Sequence, residues 1–303
     1  MFQSTGIDLI DQLLPDRISP GKVYLHCAPI NQGKTTLALS LAAATTTREY
    51  DTSSCRTVLH FDLEFNVTAP ASFRSAGASV TRDVSRQMLL SNTNAKPTRE
   101  ETDRLRSFAM AEQMCFASFS LREQGLDRIS TIHGLATSRN PVALIVIDSL
   151  SALVDMDAHD FGGTPNPKMY VNALHSLRDI AKSIGCPVWV THQLAPLENE
   201  REGGALPDYE KILGCRNLWK YVDAGFASGM LNRQNHAVFR TFPDEAGDTR
   251  QLIGHLRSDI ACWSVADTGW QIWKGMASQR TERFSAQSYM KPGWDARAAG
   301  FAV

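Results

Sequence analysis

The reading of this chain turns on CAPINQGKTTLALSLA, residues 27–42. Ahead of its centre lies the apolar run VYLHCA (23–28), which reads as a buried strand, and behind it TLALSLAAA reads as a helix. A loop between strand and helix lines up successive backbone N–H groups in a concavity, with the positive end of the helix facing it, and so holds phosphate. The candidate cradle is Ala28, Pro29, Ile30, Asn31, Gln32, Gly33, Lys34, Thr35 and Thr36. Lys34 is placed to reach the outer phosphates of ATP, and the Thr35 hydroxyl to bind Mg2+. Ala28 stands where such loops usually begin with glycine, which is tolerable if its backbone angles are ordinary. The competing reading, a chance GKTT at a helix start, does not account for strand, loop and helix occurring in that order.

On either side of this centre, TVLHF (57–61), ALIVID (143–148) and PVWVTH (187–192) are further apolar runs of strand length, separated by longer helical patterns. That alternation predicts an α/β fold with a central, largely parallel sheet. TREETDRLRSFAMAEQMCFA (98–117) opens with Thr98 and Glu101 at capping-box spacing and reads as helix, after the polar connector SNTNAKPT (91–98). A second helix over 170–186 carries Val171, Leu174, Leu177 and Ile180 on one face and stops near Gly185. HAVFRTF, TRQLIGHLR and ACWSV read as late strands, and DTGWQIW as the end of a hairpin. We expect one core over 1–273 and a short, mildly basic extension over 274–303, with Lys274, Arg280, Arg283, Lys291 and Arg297 against Glu282 and Asp295.

Nucleotide hydrolysis needs carboxylates at the ends of the strands beside the phosphate loop. LIVID ends in Asp148, the candidate for the Mg2+ shell. VLHFDLEF offers Asp62 and Glu64, which share a face if the strand continues that far, and Glu64 is the chosen base for the attacking water. Beyond the next strand, His192 and Gln193 stand where a γ-phosphate could be felt. The plain alternatives are a strand terminus for Asp148, a solvated acidic turn for Glu64 and a backbone hydrogen bond for His192 or Gln193.

Composition narrows the partners. Lys plus Arg (31) nearly cancels Asp plus Glu (32), so no global positive field attracts nucleic acid or a membrane, and any such contact is local. The six cysteines are scattered without a CxxC pair, as buried small residues would be. No segment reaches the roughly 18 apolar residues of a membrane span, and a cytoplasmic location is the default expectation.

Taken together, these residues resemble the RecA superfamily of ring- or filament-forming ATPases. The lead-in STGIDLIDQLLPDRISPGKVYLH is similar to that of recombinases and DnaB-type replicative helicases, and the order GKTT, Glu64, LIVIDS, Gln193 agrees with theirs. Ala28 and ALSLA resemble the DnaB branch, as do PDYEKILGCRNLWKYVDAGFA (207–227) and QLIGHLRSDIACWSVADTGWQIW. The resemblance implies a RecA-like three-layer fold with a C-terminal β-hairpin element. It also implies ATP and Mg2+, and a homo-oligomer, either hexameric ring or helical filament. Arg257 would be a finger acting in trans on a neighbour's γ-phosphate, the alternative being an ordinary surface arginine; His255 departs from the basic residue expected before it. Single-stranded DNA would lie against the stretches 155–170 and 194–211, for which Lys168, Arg201 and Lys211 are the candidate contacts among many acids. The leading expectation is a replicative translocase or helicase with a loader, primase or similar protein as partner. A recombinase or annealing ATPase is one alternative, and a non-motor ATP-binding regulator, which uses the site only to assemble with a partner, is the alternative of a different functional class.

Overall fold

VYLHCA forms β1 (Val23–Ala28), buried along its whole length. The computed structural model describes residues 4–14, 16, 18–65, 73–74, 99–195, 207–230, 236–244, 247–257, 262–265 and 271–273. A strand buried on both faces needs cover on each, and the chain supplies it by crossing over in helices between parallel strands. After α1 (Asp8–Leu13) and β1 come α2 (Lys34–Asp51), β2 (Thr57–Asp62), α3 (Arg99–Cys115) and β3 (Phe116–Phe119). Then follow α4 (Arg128–Ser138), β4 (Val142–Asp148), α5 (Leu150–Asp160), α6 (Pro167–Ile184) and β5 (Val188–Gln193). The last strands are β6 (Ala224–Met230), β7 (His236–Thr241), β8 (Thr249–Arg257), β9 (Cys262–Val265) and β10 (Gln271–Trp273).

The strand order is β10-β8-β7-β6-β1-β5-β4-β2-β3, with β9 also on β8. From β6 to β3 every neighbouring pair is parallel; β7, β8, β9 and β10 are added antiparallel. Alternate side chains divide the core between the two faces. Leu25, Leu59, Ile147 and Val190 meet Leu153, Leu174 and Leu177 on one face, while Val58, Val146 and Trp189 meet Leu37, Leu41 and Phe108 on the other. Each such fully buried aliphatic side chain contributes about 1.5–3 kcal/mol. These are the three layers that the family resemblance implies.

Helix ends follow local chemistry. Pro167 opens α6 behind an Asn166 side chain that accepts from the Lys168 and Met169 amides, and Gly185 closes it in the left-handed conformation at φ 72°. The late hairpin is β8 with β9, Leu256 opposite Trp263. DTGWQIW predicts a hairpin end, but β10 does not pair with β9; it lies on the first half of β8, Trp273 opposite Thr249. The 98–117 helix also ends sooner than expected. It stops at Cys115, and FASF becomes β3, with Phe61 opposite Phe119. Thr98, the connector before it and the 274–303 extension lie outside the described residues.

Candidate nucleotide site

Ala28 is the last residue of β1, in the ladder opposite Gln193, and its φ is not positive, so the loop has no need of glycine there. The left-handed positions fall later, at Asn31 (φ 58°) and Gly33 (φ 81°). Gly33 is also the N-cap of α2, and it is at this point that the turn favours glycine. Pro29 is buried, Ile30 and Asn31 are exposed, and the first turn of α2 presents Lys34, Thr35 and Thr36. The Lys34 amine is buried and donates to the Pro29 carbonyl at 2.9 Å. Burial pulls its pKa down, against the opposing fields of Glu64 and Asp148.

Asp148 ends β4 between β5 and β2, one strand removed from β1. Register puts it opposite Asp62 and beside Thr191. The Thr191 hydroxyl donates to Asp148 Oδ1, whereas Oδ2 is buried with no hydrogen bond. Burial raises the Asp148 pKa, with the Thr191 and Thr35 hydroxyls and Lys34 pulling the other way and Glu64 adding to the rise. A buried carboxylate oxygen without a donor, beside a threonine hydroxyl at a helix start, suits a hard cation. Among the described residues no cluster of three or more His, Cys, Asp or Glu exists to bind metal. A Mg2+ ion here would rest on Thr35, Asp148 and substrate oxygens, which is how this ion is commonly held.

Glu64 reaches the site by a route that differs from the strand expected for it. β2 ends at Asp62, and the chain then folds over the end of β4, with the Leu63 and Glu64 amides donating to the Asp148 carbonyl at 2.7 and 3.3 Å. Its carboxylate is exposed, and Oε1 accepts from the Ser149 hydroxyl at 2.6 Å. Ser149 is the N-cap of α5, so its rotamer is fixed by the helix start as well. Ser149 and Thr191 have no role assigned by the sequence, and the fold brings both to the site. Their signals are present in IDS and VTHQ, but only register shows which side chain they serve.

Gln193 lies at the end of β5, half-buried and level with Ala28. His192 is removed from the site. Alternation along β5 sends Thr191 and Gln193 to the α2 face and His192 to the α6 face. There its Nε2 donates to the Leu213 carbonyl at 2.8 Å and its ring meets Tyr170 edge-on at 5.3 Å. Burial lowers its pKa to about 4, so it is neutral at pH 7.

Arg257 is not beside this site in its own chain. β8 runs parallel to β1, because two antiparallel steps, β6 to β7 and β7 to β8, restore the direction of β6. Following the ladder, Cys27 pairs with Ala227, Ala227 with Arg240 and Arg240 with Gln251. Position 257 is thus three strands across and six residues further along: about 14 Å by about 20 Å, or about 24 Å from Cys27. β8 carries it past the edge on which the phosphate loop lies. His255 is half-buried, opposite His236 and Ser264.

The expected DNA stretches are altered by the fold. Residues 155–170 are not a long loop: α5 runs to Asp160, α6 starts at Pro167, and only 161–166 connect them. The acids that argue against DNA there are largely committed, since Arg128, buried at the start of α4, bonds Asp157 at 2.9 Å and Asp160 at 2.7 Å. Lys168 is exposed on the first turn of α6. In the second stretch Arg201 lies outside the described residues, while Lys211 is half-buried in a 3-10 turn whose carbonyl accepts from Ala195. No helix among the described residues is long and apolar enough to cross a membrane.

Comparison with known proteins agrees with this architecture. A family model described as an AAA domain matches residues 4–196. No curated protein matches. Among solved structures, the RadB recombinase superposes at TM-score 0.53 with 17% identity, over 87% of this chain and 99% of that one. A second, solved as an ATPase domain, gives 0.62 and 12%, over 88% and 92% respectively. A DnaB-like replicative helicase, solved in a study of its interactions with primase, gives 0.64 and 13% over 87% of this chain and 62% of its own length. At these identities the three show a shared fold. With the family model covering more than half of the chain, the chain belongs to the AAA domain family and is a nucleotide-binding ATPase, and its fold is RecA-like.

Proposed function

We propose that this ATPase is an oligomeric motor of the DnaB type that translocates on single-stranded DNA and acts in replication. The observation that carries this reading is the division of the site. Lys34, Thr35, Asp148, Glu64 and Gln193 gather at one end of the sheet, while β8 carries position 257 past that end, about 24 Å from Cys27 by strand geometry. An arginine so placed is out of reach of its own chain's site, which supports a role in completing a neighbour's and so a hydrolysis tied to assembly in a ring or helical array.

In that assembly, Lys34 and the loop amides neutralise phosphate charge, and Thr35 with Asp148 would hold Mg2+, which would supply further neutralisation of phosphate charge. Glu64, anchored by Ser149, orients the attacking water. Gln193 contacts the outer phosphate and is joined through β5 to the 207–213 segment, since the Leu213 amide donates to the Gln193 carbonyl at 3.1 Å. Lys168, Arg201, Lys211 and the loop amides meet the DNA backbone. The commitment of Asp157 and Asp160 to Arg128 weakens the main objection to Lys168 and with it the main support for a non-motor regulator.

A recombinase reading is kept for one observation, that the match spans 99% of the RadB recombinase. The test is ATP turnover with and without single-stranded DNA. We expect DNA to stimulate hydrolysis and Glu64→Gln to abolish it while ATP still binds. Tight binding without turnover at any protein concentration would refute the motor. Strand pairing without unwinding of a forked duplex would favour the recombinase.

A further inference from the structure

Two thiols meet at the end of the sheet opposite the nucleotide site. β3 starts with Phe116 opposite Val58. Cys115 immediately precedes Phe116 and Cys55 lies three residues before Val58, so register alone brings the two cysteines to the same end of neighbouring strands. Their side chains are within hydrogen-bond reach of each other, and both are free thiols. The backbone around Cys55 is held firmly. Its amide donates to the Glu49 carbonyl at 3.1 Å, the Ser54 and Arg56 side chains on either side both bind the Glu49 carboxylate, and its own φ is 48°. The two differ in access: Cys55 is half-exposed, whereas Cys115 is buried at the end of α3.

We propose that Cys55 and Cys115 form a reversible dithiol switch oxidised by hydroperoxides, with Cys55 meeting the oxidant and Cys115 resolving it. In the first step the Cys55 sulfur attacks one peroxide oxygen, the O–O bond breaks, and the departing alkoxide or hydroxide carries away the thiol proton as alcohol or water. Cys55 becomes a sulfenic acid, oxidised by two electrons, and the peroxide is reduced by two. In the second the Cys115 sulfur attacks Cys55, the S–O bond breaks, and the hydroxide leaves with the Cys115 proton as water, giving the disulfide. Burial holds the Cys115 thiol up at about 11, which keeps it protonated and leaves the first step to its neighbour. A small dithiol supplies the two electrons and two protons that reverse the link. The bond ties the connector after α2, the helix that carries Lys34, to the end of α3.

The experiment treats the full chain with hydrogen peroxide and digests it with trypsin under non-reducing conditions. We expect the peptide pair to weigh about 2 Da less than its two halves, for two hydrogens lost. Residues 49–56 and 107–122 should appear as one linked peptide that dithiothreitol separates. Cys115→Ser should trap a Cys55 sulfenic acid that dimedone labels, and Cys55→Ser should leave Cys115 unlabelled. Dimedone-labelled Cys55 in the unaltered chain with no linked peptide, or a link to any other cysteine, would overturn the proposal. The unaltered chain decides the matter even if a variant fails to fold.

Discussion

Lowering the pH from 7 to 5 should destabilise the fold through three histidines. His26, His60 and His192 are buried, on opposite faces of the sheet, and each has a ring nitrogen with no hydrogen bond. Burial lowers their pKa values to about 3, about 4 and about 4. In the unfolded chain an imidazole titrates near 6.5. Between that pH and the folded values the unfolded state binds more protons, so stability falls as pH falls. At pH 5 an unfolded histidine gains about 2 kcal/mol from protonation and a folded one almost nothing, against about 0.2 kcal/mol at pH 7. Three sites sum to a loss of about 5 kcal/mol, comparable to the whole stability of many domains. Asp148 works in the opposite sense, because its raised pKa lets the folded state take up a proton as pH falls, which offsets part of the loss. Urea unfolding at a series of pH values, without nucleotide, measures the slope. Stability unchanged or increased from pH 7 to 5 would refute the burial of neutral histidines, and His60→Gln should flatten the curve by about one third if each site contributes equally.

Asp148→Asn should remove Mg2+-dependent hydrolysis and, in the absence of nucleotide, raise stability by about 1 kcal/mol, because it neutralises a carboxylate oxygen that is buried without a donor; paired turnover and urea measurements check both halves. Gly225→Ala should cost about 3 kcal/mol or prevent folding, since a Cβ there would sit 2.1 Å from the Leu25 carbonyl oxygen and part β6 from β1; its yield and unfolding midpoint, compared with Gly134→Ala, which has open space, are the readout.

The parts of the fold legible in sequence are those whose signals are local. VYLHCA, TVLHF and LIVID carry the apolar runs of buried strands, and Gly185 ends α6 for a steric reason visible in one residue. FASF is hidden behind the preceding helical pattern because four residues, none of them fully buried, carry too little periodicity to claim a strand; β3 exists because β2 offers it an edge. DMDAHD reads as part of a loop because the Gly and Pro residues of FGGTPNP follow it, and its acids read as an objection to DNA, but two of those acids belong to Arg128, which precedes them by some thirty positions and carries no local mark. The same distinction separates the site residues. Lys34, Thr35 and Asp148 announce themselves by motif, whereas the clamp of Ser149 on Glu64 and the exclusion of His192 depend on which way neighbouring strands face.

If the hydrolytic site is shared between subunits, two variants that are each inactive should rescue one another when mixed. A Glu64→Gln subunit has no working base but can lend Arg257, while an Arg257→Ala subunit keeps its base but can lend nothing. Random co-assembly in equal amounts should restore competent sites at about one interface in four, and ATP turnover with them, if Arg257 acts in trans as fingers do. Turnover of the mixture no greater than that of the two variants measured apart would contradict a shared site.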